Sequence, residues 1–185
     1  MNGNKRHLIS LGLIAVLLLL AGCVYYNTFY NARKAFNEAE KVRRDTRYKT
    51  VRLNVSKYNL AIEKSLKVIE NHPNSSWYDD ALFVLAVSYY YTDKFSNAER
   101  RFRELLANYG ESEFAPESEL YLAKAKLKLN DEEDAMVIFE QIFDSDADRD
   151  YKAEAAMALG TYHFDNKNDV ESQRFFQAVR DSLGT

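Results

Sequence analysis

Apolar side chains recur at spacings of three and four residues from residue 27 onward, and they almost never alternate with polar ones. This periodicity predicts α-helices and not β-strands. Turn residues separate the periodic stretches, and we expect Asp93 and Asp131 to be helix N-caps. The pattern predicts eight helices, over residues 27–44, 54–71, 76–91, 94–109, 114–129, 131–144, 150–165 and 168–182.

The same pattern repeats every 37 residues. Self-similarity at a fixed spacing indicates a repeat protein, in which each unit buries its apolar face against its neighbours. The sequence therefore predicts an all-α repeat fold. The residues that keep the register are Ala61, Ala98, Ala135 and Ser172; Phe102, Phe139 and Phe176; Leu85, Leu122 and Leu159; Ala86, Ala123 and Gly160; Ala81, Ser118 and Ala155; and Pro73 with Gly110.

Within one unit, the order Leu85, Ala86, Tyr89, Ala98 and Phe102, with Gly110 at the end, resembles the tetratricopeptide repeat. The resemblance implies a right-handed superhelix of about four antiparallel helix pairs. The family's period is 34, so three residues are extra here, and we expect them after each second helix, in residues 111–115, 74–78 and 148–152. The first pair is irregular, with residues 45–54 as a long loop after a displaced helix over 27–44.

The first 23 residues have the pattern of an export signal. Lys5 and Arg6 precede an apolar run of 14 residues that ends at Ala21, whereas a membrane-spanning helix needs about 20. The following Gly22-Cys23 resembles the lipobox of bacterial lipoproteins. That resemblance implies attachment of diacylglycerol to the thiol of Cys23, then cleavage before this residue, and then attachment of an N-acyl chain such as palmitate to the exposed amine. The alternative is an uncleaved membrane anchor with a chance cysteine.

These segments predict three parts of the chain. Residues 1–22 are the signal peptide, residues 23–53 the lipidated N-terminus with the irregular first helix, and residues 54–185 the repeat domain. Val24 follows the cysteine, and the absence of Asp there implies sorting to the inner leaflet of the outer membrane, facing the periplasm. The aromatic residues Phe29 and Tyr30 lie just after the anchor, where they either contact the membrane interface or pack onto the first repeat.

Charge and chemistry exclude several functions. Residues 23–185 carry 23 basic and 28 acidic side chains, which does not favour nucleic-acid binding. Cys23 is the only cysteine, and His72 and His163 have no partners at catalytic spacing. The acidic run at 144–150 lacks the Gly and Glu of a calcium loop, because Arg149 and Ala155 occupy those positions. We therefore predict a non-enzymatic protein without a metal or a cofactor other than the covalent lipid.

Tetratricopeptide proteins bind extended peptides or partner helices along the concave face of their first helices. Projected onto this chain, the resemblance implies a groove that is unusually rich in apolar side chains. The alternative is that these positions are covered by the N-terminal helix or by tight curvature. The predicted groove residues are Phe83, Val87, Tyr90, Tyr91, Leu120, Lys124, Leu127, Lys128, Met157, Thr161 and Phe164.

A lipobox followed by such repeats, with His72-Pro73-Asn74-Ser75 between helices, resembles the BamD-like lipoproteins of the outer-membrane β-barrel assembly machinery. The resemblance implies a scaffold that holds a β-barrel assembly subunit or an unfolded outer-membrane protein. BamD-like proteins usually have about five repeats, and this chain has about four. Two alternatives stay open, namely a coordinator of the Tol–Pal system and a coordinator of cell-wall enzymes.

Overall fold

The computed structural model describes residues 27–44 and 55–183, and this part of the chain contains eight α-helices and no strand. The all-α tetratricopeptide-like fold is confirmed, and every predicted helix end agrees with the observed one within two residues. The predicted signal peptide, Cys23 and the loop at 45–54 lie outside the described residues. The helices are α1 (27–44), α2 (Val55–Asn71), α3 (Tyr78–Tyr90), α4 (Phe95–Asn108), α5 (Ala115–Lys128), α6 (Glu132–Asp144), α7 (Arg149–Asp165) and α8 (Asp169–Leu183).

The chain divides into two compact units, with the division after Val84. In the first unit, α1 presents a buried stripe of small residues, Ala32, Ala35 and Ala39. Side chains this small let helix axes approach closely. Phe36 makes edge-to-face contacts with Tyr58 of α2 and with Phe83 of α3, both at 6.3 Å between ring centres. Helix α1 is therefore an integral part of the first unit.

The second unit begins at Leu85, in the middle of α3, and from α4 onward each helix contacts the next one along the chain. Helix α5 also contacts α7, so the first helices of two successive repeats are neighbours. We call each set of residues that recur 37 positions apart a column. Most of the residues in these columns are buried and form the core of the described helices. Phe139 and Leu159, for example, share one apolar cluster with Ile142 of α6 and Val179 of α8.

Close helix contact is most evident between α7 and α8. A Cβ atom at Gly160 would lie 2.7 Å from the ring of Phe176, which is shorter than any normal carbon–carbon contact. Ser172 donates a hydrogen bond from its hydroxyl to the carbonyl of Gly160 at 3.1 Å. The small residues Gly160 and Ser172 therefore lie where the two helices touch.

The turns inside the helix pairs share a backbone feature that the sequence does not reveal. Asp93, Asn130 and Lys167 have φ angles of 59°, 60° and 58°, and they are 37 residues apart. The prediction that Asp93 is an N-cap is wrong, because the N-cap of α4 is Lys94. Asp131 is the N-cap residue of α6, although its side chain makes no capping hydrogen bond. A left-handed residue reverses the chain within three or four residues. In the third turn, the side-chain oxygen of Asn168 accepts a hydrogen bond from the backbone N–H of Glu171 at 3.5 Å.

We expect Lys167→Gly to raise the free energy of unfolding by about 1 kcal/mol, because the Cβ of lysine opposes the left-handed conformation. Asp93→Gly should give a smaller gain, since aspartate tolerates this conformation better. Chemical denaturation followed by circular dichroism measures both values. Equal gains at the two positions would show that the backbone conformation is not their cause.

Two of the three links between repeats largely overlap the segments where the extra residues are predicted. In each of the three links a serine hydroxyl accepts a hydrogen bond from the backbone N–H two residues later, at Ser75 from Trp77 (2.9 Å), at Ser112 from Phe114 (3.3 Å) and at Ser145 from Ala147 (3.1 Å). The third link is shorter, because residues 149–152 belong to α7, in agreement with the helix predicted over 150–165. The expectation that the extra residues lie in the link is wrong there. The additional residues lengthen α7 to 17 residues, compared with 13 in α3 and 14 in α5.

Candidate protein-binding groove

The structure divides the predicted groove residues by their accessibility. Phe83, Val87 and Leu120 are buried in the interiors of their units, so their side chains are not available for direct contact with a partner. Helix α3 is buried on nearly all sides between Ala81 and Tyr89, and the repeat register alone does not show this. The remaining positions are partly or fully accessible, and they are Tyr90, Tyr91, Lys124, Leu127, Lys128, Met157, Thr161 and Phe164.

Tyr90 and Tyr91 form an aromatic cluster with residues of α4 and α5. The Tyr90 ring lies 5.6 Å from that of Phe95 and 5.3 Å from that of Tyr121. The hydroxyls of Tyr91 and Tyr121 are hydrogen-bonded at 2.6 Å, and Phe102 stacks on Tyr121. Burial, together with the nearby Tyr91, Glu154 and Asp93, raises the pKa of Tyr90 to about 12. This phenol is therefore neutral and serves as a rigid wall.

Lys124 connects this cluster to α7. Its ammonium lies 5.0 Å from the centre of the Tyr121 ring, where the negative face of the ring attracts a cation. The same ammonium donates a hydrogen bond to Glu154 of α7. The aromatic cluster, Lys124 and Glu154 thus form one continuous surface across the neighbouring first helices α5 and α7.

A cavity of about 560 Å³ lies along α7 beside this surface. Its apolar side chains come from three helices and include Leu127 of α5, Met136 of α6 and Met157 of α7. Met157 is 48% exposed. Methionine is flexible and polarisable, and it is common on surfaces that bind varied apolar partners. The complete lining is Leu127, Glu132, Met136, Glu154, Met157, Ala158, Thr161, Tyr162, Asp165 and Asn166.

The rim of this cavity is negatively charged. Glu132, Glu154 and Asp165 contribute carboxylates, and none of the described lining residues is basic. Lys124, outside the lining, offsets the charge of Glu154, so Glu132 and Asp165 carry the negative charge of the rim. The pKa of Tyr151, one turn before Glu154, is raised by burial and by four surrounding carboxylates, including Glu117 and Glu154. A partner that fits the cavity would therefore combine apolar side chains with Lys or Arg at its edges. We call this surface the acidic groove.

Side chains that could take part in catalysis or metal binding instead pack against their neighbours. His163 is half-buried and stacks on the ring of Phe175 at 5.6 Å. Within residues 27–44 and 55–183, no group of three or more His, Cys, Asp or Glu side chains is arranged to hold a metal ion. No helix in these two segments is both long and apolar enough to cross a membrane. Binding is the activity that the described geometry supports.

A family model for the tetratricopeptide repeat matches residues 80–112. The chain contains a tetratricopeptide repeat. This match covers α3, α4 and the link that follows, which is the unit whose residues carry the resemblance in the sequence. Tetratricopeptide repeats are typically non-enzymatic modules that mediate protein–protein contacts, and the fold supports the same role here. No curated protein shows significant similarity to the chain.

The contribution of α6 to the groove is absent from the sequence prediction. Glu132 and Met136 belong to a second helix, whereas the family resemblance assigns binding to first helices alone. One signal could have identified them, since Glu132 and Met136 are four residues apart and so share one face of α6. Phe164 and Lys128, which the resemblance includes, are exposed but do not line the cavity.

Proposed function

We propose that this protein is a lipid-anchored periplasmic scaffold that holds another envelope protein in the acidic groove. The observation that carries the proposal is the cavity across α5, α6 and α7, with its exposed Met157 and its three carboxylates. A volume of this size accommodates a few side chains of a helix or an extended segment. The occupant that fits best is an amphipathic segment with apolar residues flanked by basic ones.

The cellular location in this proposal rests on the sequence. The lipobox ending at Cys23 supports lipidation, and Val24 supports sorting to the inner leaflet of the outer membrane. Two or more acyl chains give stable anchoring, whereas a single chain does not. The groove would then be held close to the membrane, which suits a partner that is itself inserted in or delivered to that membrane.

The specific role we propose is participation in outer-membrane protein assembly. Support comes from the combination of the lipobox, the tetratricopeptide repeat and the His72-Pro73-Asn74-Ser75 link, which together resemble BamD-like lipoproteins. The bound protein would be a β-barrel assembly subunit or an unfolded outer-membrane protein. The covalent lipid is the only non-protein group that the proposal needs.

Site-specific crosslinking tests the groove. A photoreactive amino acid at position 157 of the lipidated full-length protein should crosslink in cells to a β-barrel assembly subunit or an unfolded outer-membrane protein. The matched control is position 137, since Val137 is 53% exposed and lies outside the cavity. If position 157 yields only the products found at position 137, the acidic groove is not the binding site.

We expect Met157→Lys to weaken binding of the crosslinked partner at least about tenfold, which corresponds to about 1.4 kcal/mol. The substitution removes an apolar contact and places a positive charge where the partner is expected to be basic. Val137→Lys, with the same change in charge, should leave affinity unchanged in a titration of the purified proteins. Crosslinks from position 157 to Tol–Pal components or to cell-wall enzymes would contradict the role in outer-membrane assembly and leave the scaffold intact.

A further inference from the structure

Helix α1 has a second cavity, of about 620 Å³, on the first unit. Its aromatic part consists of Phe29, Tyr30 and Trp77. Phe29 is buried and stacks on Trp77 with ring centres 5.2 Å apart, whereas Tyr30 is 52% exposed. One residue of the predicted aromatic pair thus packs onto the first unit, and the other faces solvent.

Basic side chains surround these rings. Helix α1 carries five Arg and Lys residues against two Glu residues, while residues 85–183 carry 12 basic and 21 acidic side chains. Arg33, Lys34 and Lys41 line the cavity together with Glu38. A hydrogen bond from Lys57 and its charge lower the pKa of Glu38, and the two groups are 2.5 Å apart. Lys57 therefore largely offsets the charge of Glu38, and Asp80 lies 3.6 Å from Arg33, so the positive charge of this face rests mainly on Lys34 and Lys41.

The position of α1 in the chain restricts what this face can meet. Helix α1 begins four residues after Cys23, and four residues span at most about 14 Å even when fully extended. Tyr30 and Arg33 lie within the first two turns, which adds about 10 Å at 1.5 Å per residue. In a protein anchored through Cys23, these side chains are confined to the neighbourhood of the headgroups.

We propose that this face of α1, formed by Tyr30, Arg33, Lys34, Lys41 and Trp77, binds the headgroups of anionic phospholipids in the membrane that holds the anchor. Tyrosine and tryptophan favour the interface between hydrocarbon and water, where their rings are apolar and their polar atoms stay hydrated. Lys and Arg gain from the negative surface potential of anionic lipids within a Debye length of the surface. The proposal rests on the lipid anchor of the proposed function, and it adds a second, electrostatic attachment that fixes the orientation of the protein.

Trp77 provides a natural probe, because it is the only tryptophan in the chain. The lipidated full-length protein is reconstituted into vesicles of phosphatidylcholine alone or mixed with phosphatidylglycerol, both containing the same fraction of lipid brominated near the headgroup. We expect quenching of Trp77 fluorescence to be about twofold greater in the anionic vesicles and to fall to the neutral level at 1 M salt, where the Debye length is about 3 Å. Equal quenching in the two vesicles would overturn the proposal.

Charge reversal identifies the face. Lys34→Glu with Lys41→Glu should abolish the additional quenching, while Lys167→Glu with Arg180→Glu, which makes the same change in charge on the second unit, should preserve it. Circular dichroism checks that both variants are folded. If the first pair keeps full quenching, the proposed face is wrong. Flotation with neutral vesicles reports the anchor alone, so loss of the anchor is distinguished from loss of the headgroup contact.

Discussion

Replacing Phe139 by alanine is expected to lower the free energy of unfolding by about 3–5 kcal/mol. The Phe139 ring is 1% exposed and packs in the apolar cluster with Ile142 and Leu159. Its removal leaves a cavity that the surrounding α6 and α7 cannot close without moving against each other. For a chain of this length, such a loss lowers the melting temperature by roughly 6–20 °C.

The matched control for this prediction is Phe176→Ala, at the equivalent position of the next repeat. Phe176 is 37% exposed, so its removal should cost only about 1–2 kcal/mol, mainly through the contact with Gly160. Urea denaturation of the purified full-length variants, followed by circular dichroism, measures both. Similar losses at the two positions would mean that the repeat register alone, and not burial, determines the contribution of this column.

These two phenylalanines show how far the sequence can predict the fold. The 37-residue spacing identifies which residues are equivalent, and it places small residues such as Ala123 and Gly160 where helices touch. It does not show that Phe176 is 37% exposed while Phe139 is almost fully buried. Periodicity reports local helix faces, while exposure also depends on what packs outside them.

The turn residues show a second limit. Asp93, Asn130 and Lys167 share one backbone conformation, but their side chains have different charge and chemistry. The geometry is imposed by the need to reverse the chain between two packed helices, and it overrides the local preference of lysine. The residue types reveal it only in part, because Asp and Asn often adopt a positive φ whereas Lys rarely does, and Asp93 is equally typical of an N-cap.

The proposed binding surface was predictable in part. The resemblance to tetratricopeptide proteins names Leu127, Met157 and Thr161, and these three residues line one cavity on α5 and α7. It could not identify the carboxylates of the rim, because Glu132 and Asp165 come from different helices. The excess of basic residues in α1 can be read from the sequence. The net charge of the whole chain does not reveal it, because the second unit has more acidic than basic side chains.

The second large effect is expected at Lys126, which occupies the same column as Tyr89 and His163. Its side chain is only 3% exposed, and its ammonium is hydrogen-bonded to Asp131 and to Asp134, the latter at 2.7 Å. Burial lowers the pKa of Lys126, but the hydrogen bonds and charges of the two carboxylates outweigh burial, so the pKa is raised. This lysine therefore joins the end of α5 to the start of α6.

Lys126→Met should destabilise the protein by about 1–2 kcal/mol, and Lys126→Ala by about 2–4 kcal/mol, because alanine also removes the packed alkyl chain. The cost of the methionine variant is moderate since Asp131 and Asp134 are exposed enough to be hydrated when the ammonium is gone. Changing both aspartates to asparagine should cost more than Lys126→Met, because it leaves a buried cation without its nearest carboxylates. The opposite order would mean that the alkyl chain, and not the charge, is what matters.

The pH dependence of the Lys126→Met variant separates charge from packing. The hydrogen bond from Lys126 and its charge lower the pKa of Asp134 below its usual 3.8, so this stabilisation is present above that value and disappears as the pH falls through the lowered pKa. The raised pKa of Lys126 extends it upward, and it is lost only as the pH rises beyond the usual lysine value of 10.5. We therefore expect the stability difference between wild type and Lys126→Met to be constant near neutral pH and to shrink at both extremes. A difference that persists unchanged at low pH, measured by denaturation at several pH values, would contradict an ionic role for Lys126 and assign its effect to the packing of its side chain.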